Sequence, residues 1–441
     1  MQRLALFLAG LLLLFALLLS KEPAPVPALC PGCNLVVISM DTLRADHVGA
    51  YGYDRPTTPN IDAFARQAAV FDSAISQSAW TRPAHISMFT GLYPAEHGVV
   101  SMADRLRFPS EPPTLASVLS ARGYRSGAFT GGVNMSARFG FDRGFSVYES
   151  HGKRMLDNVE EALRWIDAGG DQPFFLFIHG FEPHRPYKSD PIDRQALGLA
   201  KNRPRGWVRR CLEGEVPEDA SPWISEYDAA VHKGDRAVGR LLEGLRARGL
   251  DGETVVVFTS DHGEEFFEHG HCYHIYTLYQ EILRVPLILR VPTLPPGRIT
   301  GVVPASVSLA PTVLEVLGIG DHGMAGPSLV SALENGEAGF DYVVSETASK
   351  GVSGRRSGWV RSITGDRDKL IDWIERGVVE YFDLLQDPQE RSALTDARRA
   401  EALARRLEAW GRAHPLIVEQ RPVEKLPARL QKQLESLGYV H

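Results

Sequence analysis

Four cysteines in 441 residues are too few for a fold held together by disulfides, and their spacing supplies no four-ligand zinc motif. Cys30 and Cys33 form a lone Cys-x-x-Cys pair, read as a local disulfide or two idle thiols, and nothing pairs Cys211 or Cys272 by sequence. Basic blocks are scarce: the net charge is −6, and the one local cluster, Lys201 to Arg210, reads as a solvated loop, so no nucleic-acid partner is expected. No internal repeat is present, which excludes a stacked-repeat architecture. Leu4 to Leu19 is the single long apolar run, which excludes a membrane protein with several spans.

That run follows Arg3 and gives way to the Pro-rich segment Lys21 to Ala28. Its length lies between a signal-peptide core and a short spanning helix, so export is expected, to the periplasm, the cell envelope or the extracellular space. Val26-Pro27-Ala28 is a poor cleavage site. A cleaved leader and an uncleaved anchor both stay open, and in the second case residues 4–19 associate with a membrane. Residues 1–33 are set aside as signal or anchor segment and linker.

Beyond Asn34 the chain alternates apolar strands with helical periods. Leu35 to Ser39, Phe174 to Ile178, Thr254 to Thr259 and Val285 to Val291 are continuous apolar runs of the kind buried on both faces of a sheet. Tyr124 to Thr130 is a further short strand. Between them, Ile61 to Ala69, Thr114 to Arg122, Val159 to Ala168 and Glu226 to Arg248 carry helical spacing. This predicts an α/β fold, a mostly parallel central sheet with helices on both faces, over residues 34–339. Residues 188 to 222 show little periodicity and read as a lid or substrate-facing insertion. From about Phe340 shorter elements begin, with strands near Tyr342, Trp359 and Leu370 and a charged helix from Arg398 to Arg412. Residues 340–441 are predicted to form a small C-terminal α+β subdomain.

The stretch Ser78 to Gly91 concentrates polar residues at the mouth of a helix: Pro83 suits a first helical position and Gly91 a stop. Thr81 then faces free backbone N–H groups and the positive end of the helix dipole, a setting that favours an alkoxide. It reads either as a nucleophile or as a plain helix cap. Asp41, His179 and Asp261-His262 each stand at the carboxyl end of a predicted strand, the edge along which such sheets bind ligands. Asp41, Asp261, His262 and the Thr81 oxygen together make a four-ligand divalent metal site, and the metal would lower the pKa of the hydroxyl.

The ordered blocks carry a resemblance. Asp41-Thr-Leu-Arg-Ala-Asp46, Thr58-Pro-Asn-Ile-Asp62, Thr81-Arg-Pro-Ala-His85, Thr90-Gly-Leu-Tyr-Pro94, Glu182-Pro-His-Arg-Pro-Tyr187 and Ser260-Asp-His-Gly-Glu264 resemble the sulfatase family of the alkaline phosphatase superfamily. The likeness runs from about Asn34 to Leu394 through the later blocks around Ala310, Gly326 and Tyr381. It implies that Asp41, Asp261 and His262 bind metal, that Thr81 holds the nucleophile position and that His85 supports it where sulfatases usually have arginine. It also implies substrate contacts from His184 and from a histidine near the Glu268-His-Gly-His271 block, where His269, His271 and His274 stay open between a polar-loop and an inward-pointing role and His271 is taken for the site.

Four departures from the family bear on chemistry. Thr81 stands where sulfatases have the Cys or Ser that becomes formylglycine, and no formylglycine is expected from threonine. Thr42 replaces the second acid of the usual Asp-Asp pair, and His262 stands where many members have Asn. One divalent ion is expected, zinc or manganese in preference to calcium or magnesium. Gly131-Gly132-Val133 lacks the usual lysine and histidine, which leaves Asn134 as a substrate-binding donor. The resemblance therefore implies an exported metal-dependent hydrolase acting through Thr81 on a sulfate, phosphate or phosphonate ester of a small molecule, glycan or lipid. The alternatives are a phosphoryl-substituent transferase of the same superfamily and a catalytically silent, glycan-binding relative.

Overall fold

The structure, a computed structural model, describes residues 28–100, 108, 111–150, 152, 154–200, 215–349, 358–417, 428 and 431–432. The apolar run Leu4 to Leu19 and the basic cluster Lys201 to Arg210 lie outside the described residues. Among those described, no helix is long and apolar enough to cross a membrane.

The main sheet takes in β1 (Asn34–Met40), β2 (Ala69–Ile75), β3 (Arg125–Thr130), β4 (Val147–Glu149), β5 (Phe174–Gly180) and β6 (Thr254–Thr259). A two-stranded ribbon, β7 (Glu265–Phe266) with β8 (Cys272–Tyr273), follows, and the main sheet resumes with β9 (Arg284–Val285), β10 (Leu287–Arg290) and β11 (Gly297–Pro304). The strand order is β11-β2-β10-β6-β1-β5-β3-β4, with β9 also on β2. Pairs β1/β5, β1/β6, β3/β5, β3/β4 and β11/β2 are parallel, whereas β10 runs antiparallel to both neighbours and β9 antiparallel to β2. The sheet is mostly parallel, as the alternation predicts.

Successive residues of a strand point to opposite faces, so β1 feeds two cores. Leu35 and Val37 pack with Ile86, Phe89, Leu115 and Leu309, from the helices Thr81–Thr90, Leu115–Ala121 and Ala305–Val316. Val36 and Ile38 pack with Ile61, Val159 and Leu241, from Pro59–Ala65, Met155–Asp167 and Ser221–Ala247. Burial on both faces is why the central residues of β1, β5 and β6 are apolar, and each such side chain contributes about 1.5–3 kcal/mol.

A four-stranded antiparallel sheet, β12 (Val343–Ser349), β13 (Gly358–Thr364), β14 (Asp368–Trp373) and β15 (Val378–Asp383), forms the C-terminal subdomain. Its Leu370 and Tyr381 pack under the helix Ala397–Ala413 through Leu403 and Leu407. The alternate residues Val360, Ile371 and Phe382 pack against Leu278 and Ile282 of the main body. The edge strand β12 also bonds to segments that lead into and follow the helix Thr81–Thr90: Glu346 N donates to Gln77 O, and Ala95 N to the Glu346 carboxylate.

Several local expectations shift. The first helix is Pro59–Ala65 with Thr58 at its cap position, and Ala69 opens β2 instead of closing that helix. Val285 to Val291 is two short antiparallel strands, broken at Pro286 because proline offers no N–H to the ladder. The aperiodic 188–222 stretch contains a one-and-a-half-turn helix, Pro191–Ala196. Cys30 and Cys33 are joined as a disulfide.

Candidate active site

The parallel register delivers the site. Ser39 of β1 pairs with His179 of β5 and with Thr259 of β6, and Thr130 of β3 pairs with His179. The carboxyl ends of four neighbouring strands therefore finish level. Asp41 follows β1 directly, and its N–H donates to Gly180 O across to β5. Asp261 and His262 follow β6 after Ser260.

Thr42 turns the chain away at φ 61, a region that β-branched residues rarely occupy, and from there its N–H donates to Asp261 Oδ1 at 3.2 Å. Leu43 N donates to Ser260 Oγ, whose hydroxyl donates to His262 O. Tyr227 OH donates to Thr42 O and accepts from Arg44 N. On the other side Gly263 packs so close to Glu281 O that a Cβ would lie 1.9 Å away, which fixes the Asp261-His262 turn against the segment Gln280–Leu283. Two strand ends are thus tied to one another through backbone.

Thr81 is the first residue of its helix, not the cap. Trp80 holds the cap position in an extended conformation, without a side-chain hydrogen bond, and Pro83 stands two residues inside. The Thr81 hydroxyl is fully buried and donates to Asp41 Oδ2 at 3.4 Å. Asp41, Asp261 and His262 each offer one donor atom within 4.8 Å of the others. His262 Nε2 lies 3.3 Å from Asp261 Oδ2 and 3.8 Å from Asp41 Oδ1. All three atoms are buried without a hydrogen-bond partner.

The tautomer decides what that means. His262 Nδ1 is 2.9 Å from Gly263 O, and a carbonyl only accepts, so Nδ1 carries the hydrogen and Nε2 presents a lone pair. A lone pair facing two carboxylates is repulsive unless a cation or a carboxyl proton lies between. Burial and the nearby charges of Asp261 and Glu264 raise the Asp41 carboxyl well above its usual range, against the Thr81 hydrogen bond. A divalent ion removes both conflicts, and the 3.3 Å edge matches about 3.3 Å between ligands bound at roughly 2.0 Å in a tetrahedron. These residues fit a metal.

Around them lie more imidazoles. His85 is satisfied at both nitrogens: Nδ1 donates to Thr81 O at 2.9 Å, and Nε2 accepts from Ser39 Oγ at 3.0 Å. Burial holds it near pKa 4, hence neutral, so it steadies the backbone of the nucleophile position without the charge of an arginine. His184 stacks on Phe181 with 4.1 Å between ring centroids and lies 5.1 Å from the ring of His274. His274 in turn lies 4.4 Å from His262. Burial lowers the pKa of both His184 and His274 well below the usual value.

It is His274, and not His271, that the structure brings to this row. His271 N donates to Glu265, and its ring lies 6.4 Å from that of Tyr276. Positive φ at Tyr273 (109°) and Ile275 (95°) turns His274 inward, and nothing in the sequence marks that. Glu264 was also missed: its carboxylate is buried, 3.5 Å from His274 Nδ1, and burial pushes it up to about 8 despite Arg185 and Arg44. Its only signal was its place directly after Asp261-His262-Gly263. Asn134 is buried, and both atoms of its amide lack a hydrogen-bond partner, as a ligand-facing amide would. Glu182, the one acid near His184 in sequence, accepts from the N–H groups of Met155 and Phe181 and is engaged in capping backbone.

Comparison with known proteins bears on the family and the fold. The model of the Sulfatase family matches residues 33–319, more than half of the chain. An endo-4-O-sulfatase of Bacteroides thetaiotaomicron is 24% identical over 427 aligned residues, covering 82% of each chain. Among solved structures, a protein in complex with its substrate D-glucosamine-2-N,6-O-disulfate superposes with a TM-score of 0.74 at 20% identity, over 89% of this chain and 100% of the other. The phosphonate monoester hydrolase of Agrobacterium radiobacter superposes with a TM-score of 0.71 at 20% identity, over 90% of this chain and 100% of its own.

Proposed function

Because the chain belongs to the sulfatase family, we propose that this sulfatase-like ester hydrolase cleaves a sulfate, phosphate or phosphonate ester through Thr81 beside one divalent metal ion. The observation that carries this reading is the buried contact of Thr81 Oγ1 with Asp41 Oδ2, inside a group of carboxylate and imidazole atoms that have no protein partner.

Asp41, Asp261 and His262 would hold the ion. It supplies positive charge against the ester's oxyanion and lowers the pKa of the neighbouring hydroxyl. Thr81 attacks the sulfur or phosphorus: the Oγ–S or Oγ–P bond forms, the bond to the leaving oxygen breaks, and Asp41 is within reach of the hydroxyl proton. His274 and the Asn134 amide donate hydrogen bonds to the oxyanion and the leaving group, while His184, whose Nδ1 donates to Arg185 O, keeps an accepting Nε2 that suits a hydrogen bond from the attacking water. Water attacking the same sulfur or phosphorus in line then frees Thr81, because threonine has no aldehyde hydrate through which to eliminate the group. A water route of this kind is familiar for phosphoryl esters.

The related endo-4-O-sulfatase and the glucosamine-disulfate complex support a glycan ester as substrate, and the phosphonate monoester hydrolase supports phosphorus as the element transferred. A silent glycan-binding protein has no use for two buried carboxylates that each leave one oxygen unpartnered beside a hydroxyl. The Cys30–Cys33 disulfide suits an oxidising compartment, and export through Leu4 to Leu19 is part of the proposal.

The test is intact-protein mass after rapid quenching with aryl sulfate, phosphate diester and phosphonate substrates, in the presence of zinc or manganese. An added sulfuryl or phosphoryl mass that maps to Thr81 is expected and identifies the element. Turnover of these substrates that persists in Thr81→Ala overturns the assignment.

A further inference from the structure

His179 has a place in none of the roles above, yet its surroundings match those of His262. Its Nδ1 is 2.9 Å from Gly131 O, so that nitrogen carries the hydrogen and Nε2 presents a lone pair. That Nε2 lies 3.5 Å from Asp41 Oδ2, the same oxygen that Thr81 faces, and it has no hydrogen-bond partner although the side chain is fully buried. One ring nitrogen of His179 also lies within 4.8 Å of an Asp261 carboxylate oxygen, in a group that includes His85.

Resting on the reading of a metal-dependent hydrolase, we propose that His179 is a further ligand of the same ion, which is bound by two carboxylates and two imidazoles with Thr81 at its open side. Three observations carry this. A core histidine that binds no ion satisfies both nitrogens, as His85 does through Thr81 O and Ser39 Oγ, and His179 does not. A ligating histidine characteristically donates its other N–H to a carbonyl, and His179 and His262 both do. Finally, the chain carries Thr42 next to Asp41, where a second acid would otherwise contribute, and β5 delivers His179 to the oxygen that Asp41 turns away from His262. Exchanging a carboxylate for an imidazole selects zinc, manganese or another transition ion over calcium, because half of the protein donors are then nitrogen.

His85 does not join the ligand set. Its Nδ1 lies 3.6 Å from Asp261 Oδ2, but that atom already carries a hydrogen committed to Thr81 O.

The test counts imidazoles. Copper(II) loaded into the wild-type chain is examined by pulsed electron paramagnetic resonance, in which remote ring nitrogens give combination lines only when two imidazoles bind. Two are expected. In parallel, zinc affinity is measured by competition with a chromophoric chelator for wild type, His179→Asn and His179→Gln, with unfolding in chelator as the control for folding. A loss of at least about 10-fold in affinity is expected for both variants. A single-imidazole spectrum together with unchanged affinity overturns the role of His179 and leaves the hydrolase proposal standing. Failure of the wild type to bind zinc, manganese or copper overturns both.

Discussion

Thr42 N–H reaches Asp261 Oδ1 across 3.2 Å only because Thr42 adopts a left-handed backbone conformation at φ 61. The two residues are far apart in sequence, and this bond, with that of Leu43 N to Ser260 Oγ, joins the end of β1 to the end of β6. Threonine is a poor occupant of that conformation, whereas aspartate tolerates it. In the family this chain resembles, the position carries an acid.

Thr42→Asp is therefore expected to change stability in a metal-dependent direction. In chelator a third buried carboxylate joins Asp41 and Asp261, and the variant unfolds below the wild type by roughly 3 kcal/mol. Added zinc or manganese closes the gap. Calorimetric scans with and without chelator measure this, and a variant as stable as the wild type in chelator would mean that residue 42 does not face the carboxylates.

Thr81→Ala is expected to lower kcat by at least about 1,000-fold, since removal of a covalent nucleophile leaves only binding and electrostatics. Thr81→Ser keeps the hydroxyl and loses one buried methyl, costing about 1 kcal/mol of stability. Serine should retain most of the activity, and alanine should retain bound metal. Steady-state rates beside metal analysis separate these cases. An inactive serine variant with intact metal would show that the methyl group, and not the oxygen, is what the site requires.

The strand ends were legible because a strand buried on both faces writes itself as a nearly unbroken apolar run, and the first charged or imidazole residues after β1 and β6 are Asp41 and Asp261-His262. β2 and β11 were not, because Asp72 and Ser73 interrupt the first and the second mixes exposed and buried positions, as edge strands do. The antiparallel course of β10 depends on how Pro286 and the Gln280–Leu283 turn redirect the chain, which periodicity does not encode. The histidine loop failed for a similar reason: His271 and His274 are chemically identical, and only the positive φ at Tyr273 and Ile275 decides which turns inward.

Lys369 and Glu390 form a 2.7 Å ion pair with neither side chain exposed, and the second oxygen of Glu390 accepts from Gln280 N. This pair fastens the C-terminal sheet to the segment behind the active-site turn. Lys369→Met leaves a buried carboxylate without its cation and is expected to cost about 3–5 kcal/mol. Adding Glu390→Gln to that variant should recover part of the loss, because the amide retains an acceptor for Gln280 N without the charge. Urea unfolding of the two variants and the wild type reads the difference directly. Equal midpoints for wild type and Lys369→Met would show that the pair contributes nothing.

His269 gives the fold a pH dependence on the alkaline side. Burial lowers its pKa, but the hydrogen bond and charge of Glu281, with the Glu390 carbonyl on the other nitrogen, outweigh that and raise it to about 9. A histidine whose folded pKa lies above its unfolded value near 6.5 binds its proton more tightly in the native state. The resulting stability is fully present below pH 6.5, declines above it, and is gone once pH rises past about 9. The wild-type melting temperature is thus expected to fall between pH 7 and pH 9.5, and His269→Gln, which cannot titrate, should flatten that fall while lowering stability at pH 6. Melting curves of both proteins across this range provide the check. Parallel curves would place the alkaline loss elsewhere and show that the imidazole is neutral in the folded chain.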